Sequence, residues 1–270
     1  MPGLASRPLG RRCQSLGLLL AFCLISGAAL AESEFQGPLL VGVAANFAKP
    51  AQFLADRYTE ASGIPVDLIV GSTGLLFAQI VQGAPFDLLL AADTSRPLRL
   101  QKEGLGADDS YAVYARGRLA LWVPGADRPP DVADYLSKAS LLAYANPKVA
   151  PYGAAAAAVA TRFPTEAMER RWIQGQNVSA TFTQIASGSV PGGLVAYSQL
   201  LAADVSKREY SLIPEAWHPP IEQALVLTQR GAASRAGREF RRFLLSDESQ
   251  QTLLTMGYVS SDGQAGHDRY

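Results

Sequence analysis

Thiols are almost missing from this chain: 270 residues hold two cysteines, Cys13 and Cys23, and both lie near its start. That start reads as a secretory leader. Arg7, Arg11 and Arg12 form a basic segment, Leu16 to Ile25 is apolar, and Ala29-Leu30-Ala31 is a small-residue cleavage site ahead of Glu32. The sequence therefore predicts a signal peptide over 1–31 and a mature chain with no disulfide, cysteine nucleophile or thiolate metal site. Phe22 precedes Cys23 where lipidation wants a small residue, which favours soluble export. No later stretch reaches the roughly eighteen apolar residues that a membrane-spanning helix needs.

Other shortages narrow the chemistry. His218 and His267 are too few and too isolated for a zinc site. Lys+Arg 24 balance Asp+Glu 24 and no basic run follows the leader, so a nucleic-acid partner is excluded. The short run Glu169-Arg170-Arg171 reads as a solvated helix face. Ser72 and Thr73 have no His or Lys in a recognisable activating motif. Gly188 to Gly193 lacks the Lys of a phosphate loop and reads as a turn. Asp87 and Asp93 could form a carboxylate pair, although capping or surface roles are favoured. The balance of 48% hydrophobic and 18% charged residues excludes a disordered chain.

What is present is an alternation of apolar strands and amphipathic helices. Leu39 to Ala45 is continuously apolar, as a buried parallel strand should be, and a helix follows from Phe47 to a stop at Gly63. Strands are predicted at Val66–Val70 and Phe86–Ala92, with helices after Gly71-Ser72-Thr73-Gly74 and near Arg96–Glu103. One long strand is expected from Tyr111 to Val123, then a strand at Leu141–Ala145 beyond the Pro129-Pro130 segment. Helices follow at Ala154–Phe163, Glu166–Ile173 and Ser179–Ser187, and strands at Gly193–Tyr197, Tyr210–Ile213 and Ile221–Thr228. Two helices, Ser234–Leu244 and Glu248–Met256, precede a polar tail over Ser261–Tyr270, and no internal repeat is evident. This order predicts an α/β fold.

Several strand-to-helix junctions carry small polar residues: Asn46-Phe47, Ser72-Thr73-Gly74, Asn177-Val178-Ser179, and Pro151-Tyr152-Gly153 leading into the Ala-rich helix. Helix N-termini present unpaired N–H groups and partial positive charge, so several pointed at one cleft would bind an anion without a charged side chain. Taken singly, each junction is more simply an ordinary N-cap.

Five segments in register raise the odds: Val43-Ala44-Ala45-Asn46-Phe47; Gly71-Ser72-Thr73-Gly74 with Ala78-Gln79-Ile80; Gly83-Ala84-Pro85-Phe86-Asp87 with Ala91-Ala92-Asp93; Asn146-Pro147 with Ala150-Pro151-Tyr152-Gly153; and Met256-Gly257-Tyr258-Val259. In order and spacing the chain resembles the periplasmic molybdate-binding proteins of ABC importers. That resemblance implies donors at Asn46, from backbone or side chain, and at Thr73, with Ser72 adjacent. It implies a Tyr152 hydroxyl and a Val178 backbone N–H as well. Ala45 stands where some relatives have a hydroxyl residue. Many members carry a ligand Tyr in a Gly-Ile-Val-Tyr segment; here Gly193-Leu194-Val195-Ala196-Tyr197 places the Tyr one residue late, which on a strand turns it to the other face, so Tyr197 is not counted. Pro50 falls early in the first helix, where it removes an N–H and can delay the regular helix.

The implied architecture is a two-lobed periplasmic binding protein of type II, with two inter-lobe crossovers and the ligand cleft between the lobes. Lobe one would be 32–115 plus 223–270, and lobe two 116–222. The implied function is periplasmic capture of molybdate, with tungstate, and delivery to a membrane permease by a monomer that is not an enzyme and holds no cofactor beyond the transported anion. The alternatives are sulfate or another tetrahedral oxyanion as ligand, an exported enzyme on the same architecture, and a sensor or adhesin module.

Overall fold

The structure, a computed structural model, describes residues 37–163 and 171–260. The leader, the 261–270 tail with His267, and Glu169 and Arg170 lie outside the described residues.

β1 (Leu39–Ala44) is apolar throughout because it is a central strand, flanked in parallel by β2 (Val66–Gly71) and β3 (Leu88–Ala91). A 3-10 turn at Ala45–Phe47 leads into α1 (Ala48–Ser62), which stops at Gly63 in the left-handed region. Pro50 sits in the first turn of α1, where a missing N–H leaves no intrahelical bond unmade. α2 (Thr73–Val81) and α3 (Ser95–Lys102) complete the run. Helix α1 covers one face of the sheet through Leu54 and Tyr58, joined there by Phe47 and Phe240, while α2 and α3 cover the other through Leu76, Ile80 and Leu100.

The single long strand expected from Tyr111 to Val123 is two strands, β4 (Ala112–Gly117) and β5 (Leu119–Trp122), in different sheets. The change of sheet falls at Arg116-Gly117-Arg118, a short polar break between the apolar parts of the two strands. Next come α4 (Val132–Lys138), β6 (Leu141–Ala145), α5 (Pro151–Ala160) and β7 (Arg171–Gly175). They are followed by α6 (Val178–Ala186), β8 (Gly193–Ala196), α7 (Tyr197–Ala202) and β9 (Tyr210–Leu212). β10 (Ile221–Leu227) returns to the first sheet, and α8 (Gln229–Ala233), α9 (Arg235–Leu244) and α10 (Asp247–Thr255) close the chain.

The helix expected at Glu166–Ile173 is corrected in its described part. Arg171 to Ile173 lie in strand β7, which pairs in parallel with β6 through Leu142↔Trp172 and Ala143↔Ile173, so pairing overrides the local pattern. Helix α4 was hidden behind Pro129-Pro130, although its N-cap is conventional: the Asp131 carboxylate accepts the Asp134 N–H at 2.8 Å. The short helices α7 and α8 were not foreseen either.

The two sheets share a strand order, β2-β1-β3-β10-β4 and β7-β6-β8-β5-β9. In each, three parallel strands are followed by an antiparallel strand from the chain that crosses between the sheets. The result is a two-lobed α/β fold whose crossovers run through Gly117–Leu119 and between Leu212 and Ile221.

Candidate functional site

In open parallel sheets, ligands bind beyond the carboxyl ends of the strands. Here the carboxyl ends of β1 and β2 in one lobe face those of β6 and β7 in the other. Each is followed by a helix start: the Ala45–Phe47 turn, α2, α5 and α6. Ala45, Asn46, Ser72, Thr73, Tyr152 and Val178 all line one small cavity there, with about 10 Å³ of room. No Lys, Arg, His, Asp or Glu lines it. Larger hollows of about 170, 270 and 360 Å³ flank the cleft, but none gathers four helix starts.

Thr73 is fully buried at the first position of α2, and its Oγ1 accepts the Ala92 N–H at 3.0 Å, which leaves its own hydrogen to donate. Ser72 occupies the N-cap position without capping, and its buried Oγ has no partner. A serine there ordinarily bonds the helix start, so this hydroxyl is turned to another use. Tyr152 is buried at the second position of α5, and its Oη also has no partner. Burial pushes the Tyr152 phenol well above the usual tyrosine pKa, the nearby Tyr258 and Tyr114 add to this, and the Asn46 amide opposes it. The phenol thus keeps its proton and remains a donor.

Val178 opens α6, and the Asn177 side chain caps the helix by accepting the Ala180 N–H at 2.9 Å. At this junction the ordinary N-cap reading holds for Asn177, while Val178 offers backbone alone. Asn46 donates through Nδ2 to Gln223 Oε1 at 3.0 Å and to Tyr258 Oη at 3.1 Å, which occupies both amide hydrogens. Its carbonyl accepts Tyr258 Oη at 2.9 Å and Ser198 Oγ at 3.2 Å. Ala45 offers only backbone, and its carbonyl accepts Ser179 Oγ at 3.0 Å.

Sequence reasoning missed this supporting ring of Gln223, Tyr258 and Ser198. Tyr258 stood in a quoted motif, but nothing in the local pattern of Gln223 or Ser198 marks them. Tyr197 lies outside the cavity for a different reason than strand parity: β8 ends at Ala196, and Tyr197 begins α7 with its ring against Arg118 and Tyr210.

The lobes are drawn together across the cleft. Gly74 N donates to Val149 O at 2.9 Å, Lys49 Nζ to Ala202 O at 2.8 Å, and Arg96 Nη2 to Lys148 O at 3.3 Å. The possible carboxylate pair is divided between two structural tasks. Asp87 is fully buried and accepts the Leu40 N–H and Arg230 Nε, while Asp93 caps the start of α3 through the Arg96 N–H. His218 is buried with Nδ1 against Pro219 O at 2.8 Å. Among the described residues no group of three metal-ligating side chains forms, and no helix is long and apolar enough to cross a membrane.

Residues 39–259 match the family model for bacterial extracellular solute-binding proteins. The molybdate-binding protein ModA of Rhodobacter capsulatus is 35% identical over 243 residues, covering 89% of this chain and 94% of that protein. Its namesake from Azotobacter vinelandii is 32% identical over 222 residues, 81% of this chain and 88% of that protein. The solved structure of the Azotobacter vinelandii periplasmic molybdate-binding protein superposes with a TM-score of 0.76 at 29% identity, covering 82% of this chain and 98% of its own. The Mycobacterium tuberculosis sulfate-binding protein SubI, at 14% identity and a TM-score of 0.64, shares the fold. A cleft built from four helix starts between two like-ordered sheets, matched along nearly all of the described chain, places this protein in the bacterial extracellular solute-binding protein family.

Proposed function

We propose that the protein captures molybdate in the periplasm and delivers it to the membrane permease of an ABC importer. The observation that carries this reading is a cavity that offers donors from four helix starts and no charged side chain. Burying an ion costs on the order of 20 kcal/mol per charge in the idealised limit, so each anion oxygen needs several donors, each charge-assisted bond returning about 1.5 to 3 kcal/mol. Backbone N–H groups at Asn46, Ala45 and Val178, with the Ser72, Thr73 and Tyr152 hydroxyls, supply such a set. A lining that donates suits a fully deprotonated tetrahedral dianion, whereas hydrogen phosphate brings a proton that needs an acceptor. The relatives named for molybdate point to that anion, and tungstate, of the same shape and charge, is expected to bind as well.

The mechanism is closure about the two crossovers: the open form admits the anion, both lobes supply helix starts, and the closed form is what a permease recognises. Binding and release complete this cycle without a catalytic step. The protein acts as an exported monomer whose only bound group is the transported anion. A thermal unfolding scan with molybdate, tungstate, sulfate, phosphate and no anion tests this. At about one hundred times the dissociation constant, one-site binding adds roughly 2.7 kcal/mol and raises the midpoint by several degrees. A shift with molybdate and tungstate alone is the expected result; a shift with sulfate alone would change the ligand, and no shift with any anion would overturn the reading.

A further inference from the structure

Two hydroxyls of lobe two hold two successive carbonyls of lobe one. Ser179 Oγ, in the first turn of α6, donates to Ala45 O at 3.0 Å, and Ser198 Oγ, in the first turn of α7, donates to Asn46 O at 3.2 Å. Both carbonyls belong to the Ala45–Phe47 turn after β1, and Ala45 and Asn46 line the anion cavity. Ser179 lines instead the neighbouring hollow of about 170 Å³, together with Gln199 and Ser198. There Gln199 Nε2 donates to Ser179 Oγ at 2.8 Å, while Gln199 Oε1 is buried without a partner. A serine hydroxyl carries one hydrogen, so an Oγ that accepts from Gln199 gives that hydrogen to Ala45 O. The Ala48 N–H also bonds Ala45 O, so both lone pairs of this carbonyl are engaged.

We infer that Ser179 is a positioning residue for the peptide unit between Ala45 and Asn46, with Gln199 setting the direction of its hydrogen. A trans peptide is planar and its N–H runs antiparallel to its C=O, so a hydroxyl that fixes the Ala45 carbonyl also fixes the direction of the Asn46 N–H. A bonded carbonyl polarises its peptide unit, which makes that N–H a stronger donor. The Ser179 bond spans the lobes, so it forms as they close and parts as they open. Closure and anion binding thereby reinforce each other: the anion draws α6 to the turn, and α6 strengthens the donor that the turn gives the anion. The affinity arm of this inference rests on the molybdate reading above; the chain of hydrogen bonds from Gln199 to Ala45 does not.

The test is a double-mutant cycle with a spectroscopic control on the full mature chain. Molybdate dissociation constants are measured by calorimetry for wild type, Ser179→Ala, Gln199→Met and the double variant, with Gln199→Leu as a second replacement should the first fail to fold. Ser179→Ala is expected to bind about fivefold more weakly than wild type. Gln199→Met is expected to bind about threefold more weakly in the wild-type background and to have no further effect once Ser179 is Ala. In carbon-13 NMR, the Ala45 carbonyl resonance is expected to move in Ser179→Ala. Wild-type affinity in Ser179→Ala, equal losses from Gln199→Met in both backgrounds, or an Ala45 carbonyl unmoved in both the unliganded and the molybdate-loaded protein would overturn the inference. If wild type binds no molybdate, the function proposed above fails, and the carbonyl resonance of the unliganded protein still decides whether Ser179 holds Ala45.

Discussion

Gly74 in the first lobe donates its N–H to the Val149 carbonyl of the second at 2.9 Å, and a Cβ on Gly74 would meet Val149 Cα at 3.0 Å and its O at 3.1 Å. This backbone bond across the cleft thus depends on a missing methyl group. Gly74→Ala is expected to weaken molybdate binding about threefold and Gly74→Val more than about tenfold, because the lobes must part to make room. The unliganded midpoint should hold or rise, since Ala is up to about 1 kcal/mol better than Gly inside a helix. Calorimetric titration beside an unfolding scan separates the two effects.

Tyr152→Phe removes a hydroxyl that no protein group bonds. Its loss should leave the unliganded protein as stable as before, or slightly more so, while costing about 1 to 3 kcal/mol of molybdate affinity. Tyr197→Phe, by contrast, should leave the dissociation constant unchanged, because that ring packs on Arg118 and Tyr210. If Tyr197→Phe abolished binding, the placement of α7 would be wrong.

Asp87 ties β3 to β1 through the Leu40 N–H at 2.8 Å and to α8 through Arg230 Nε at 2.9 Å, with its carboxylate buried. Asp87→Ala leaves the Leu40 N–H without its acceptor and is expected to cost about 1 to 3 kcal/mol of unfolding free energy. Anion affinity should be unaffected once the variant is folded. Urea unfolding together with titration below the midpoint checks both halves of the statement.

The buried tyrosines set a pH limit. Burial raises Tyr114, Tyr152 and Tyr258 above their ordinary value of 10.0, and pushes Tyr210 up to about 12 with Tyr197 adding to the shift. In each case the fold favours the neutral phenol. Their contribution is therefore fully present below about pH 10 and falls as the pH rises beyond it, when the unfolded chain loses protons first. Molybdate affinity is expected to stay flat between about pH 6 and 9, and stability to drop above about pH 10, as a urea midpoint series would record.

Periodic features of the sequence carried most of the fold. The apolar runs of β1, β3 and β10, the start of α2 and the cap of α6 could be read because each is written in the element's own residues. Failures occurred where a neighbour decides. Arg118 divides two strands with only a short polar break between them, Trp172 and Ile173 are strand because β6 pairs with them, and α7 is too short to show a period. The cavity residues were legible at junctions next to glycine, proline or hydroxyl side chains. Gln223 and Ser198 were not, since their meaning comes from Asn46, more than a hundred residues away in sequence.

The strand order has a consequence for how the molecule is made. β10 lies between β3 and β4, and its Leu225 stands opposite Leu90. Until the chain has been synthesised through Leu227, the first sheet lacks its fourth strand and the edges of β3 and β4 stand open. Contacts this distant in sequence slow folding, because loop entropy must be lost before any pairing repays it. The first lobe is thus begun early in translation and completed late, after every strand of the second sheet has been made.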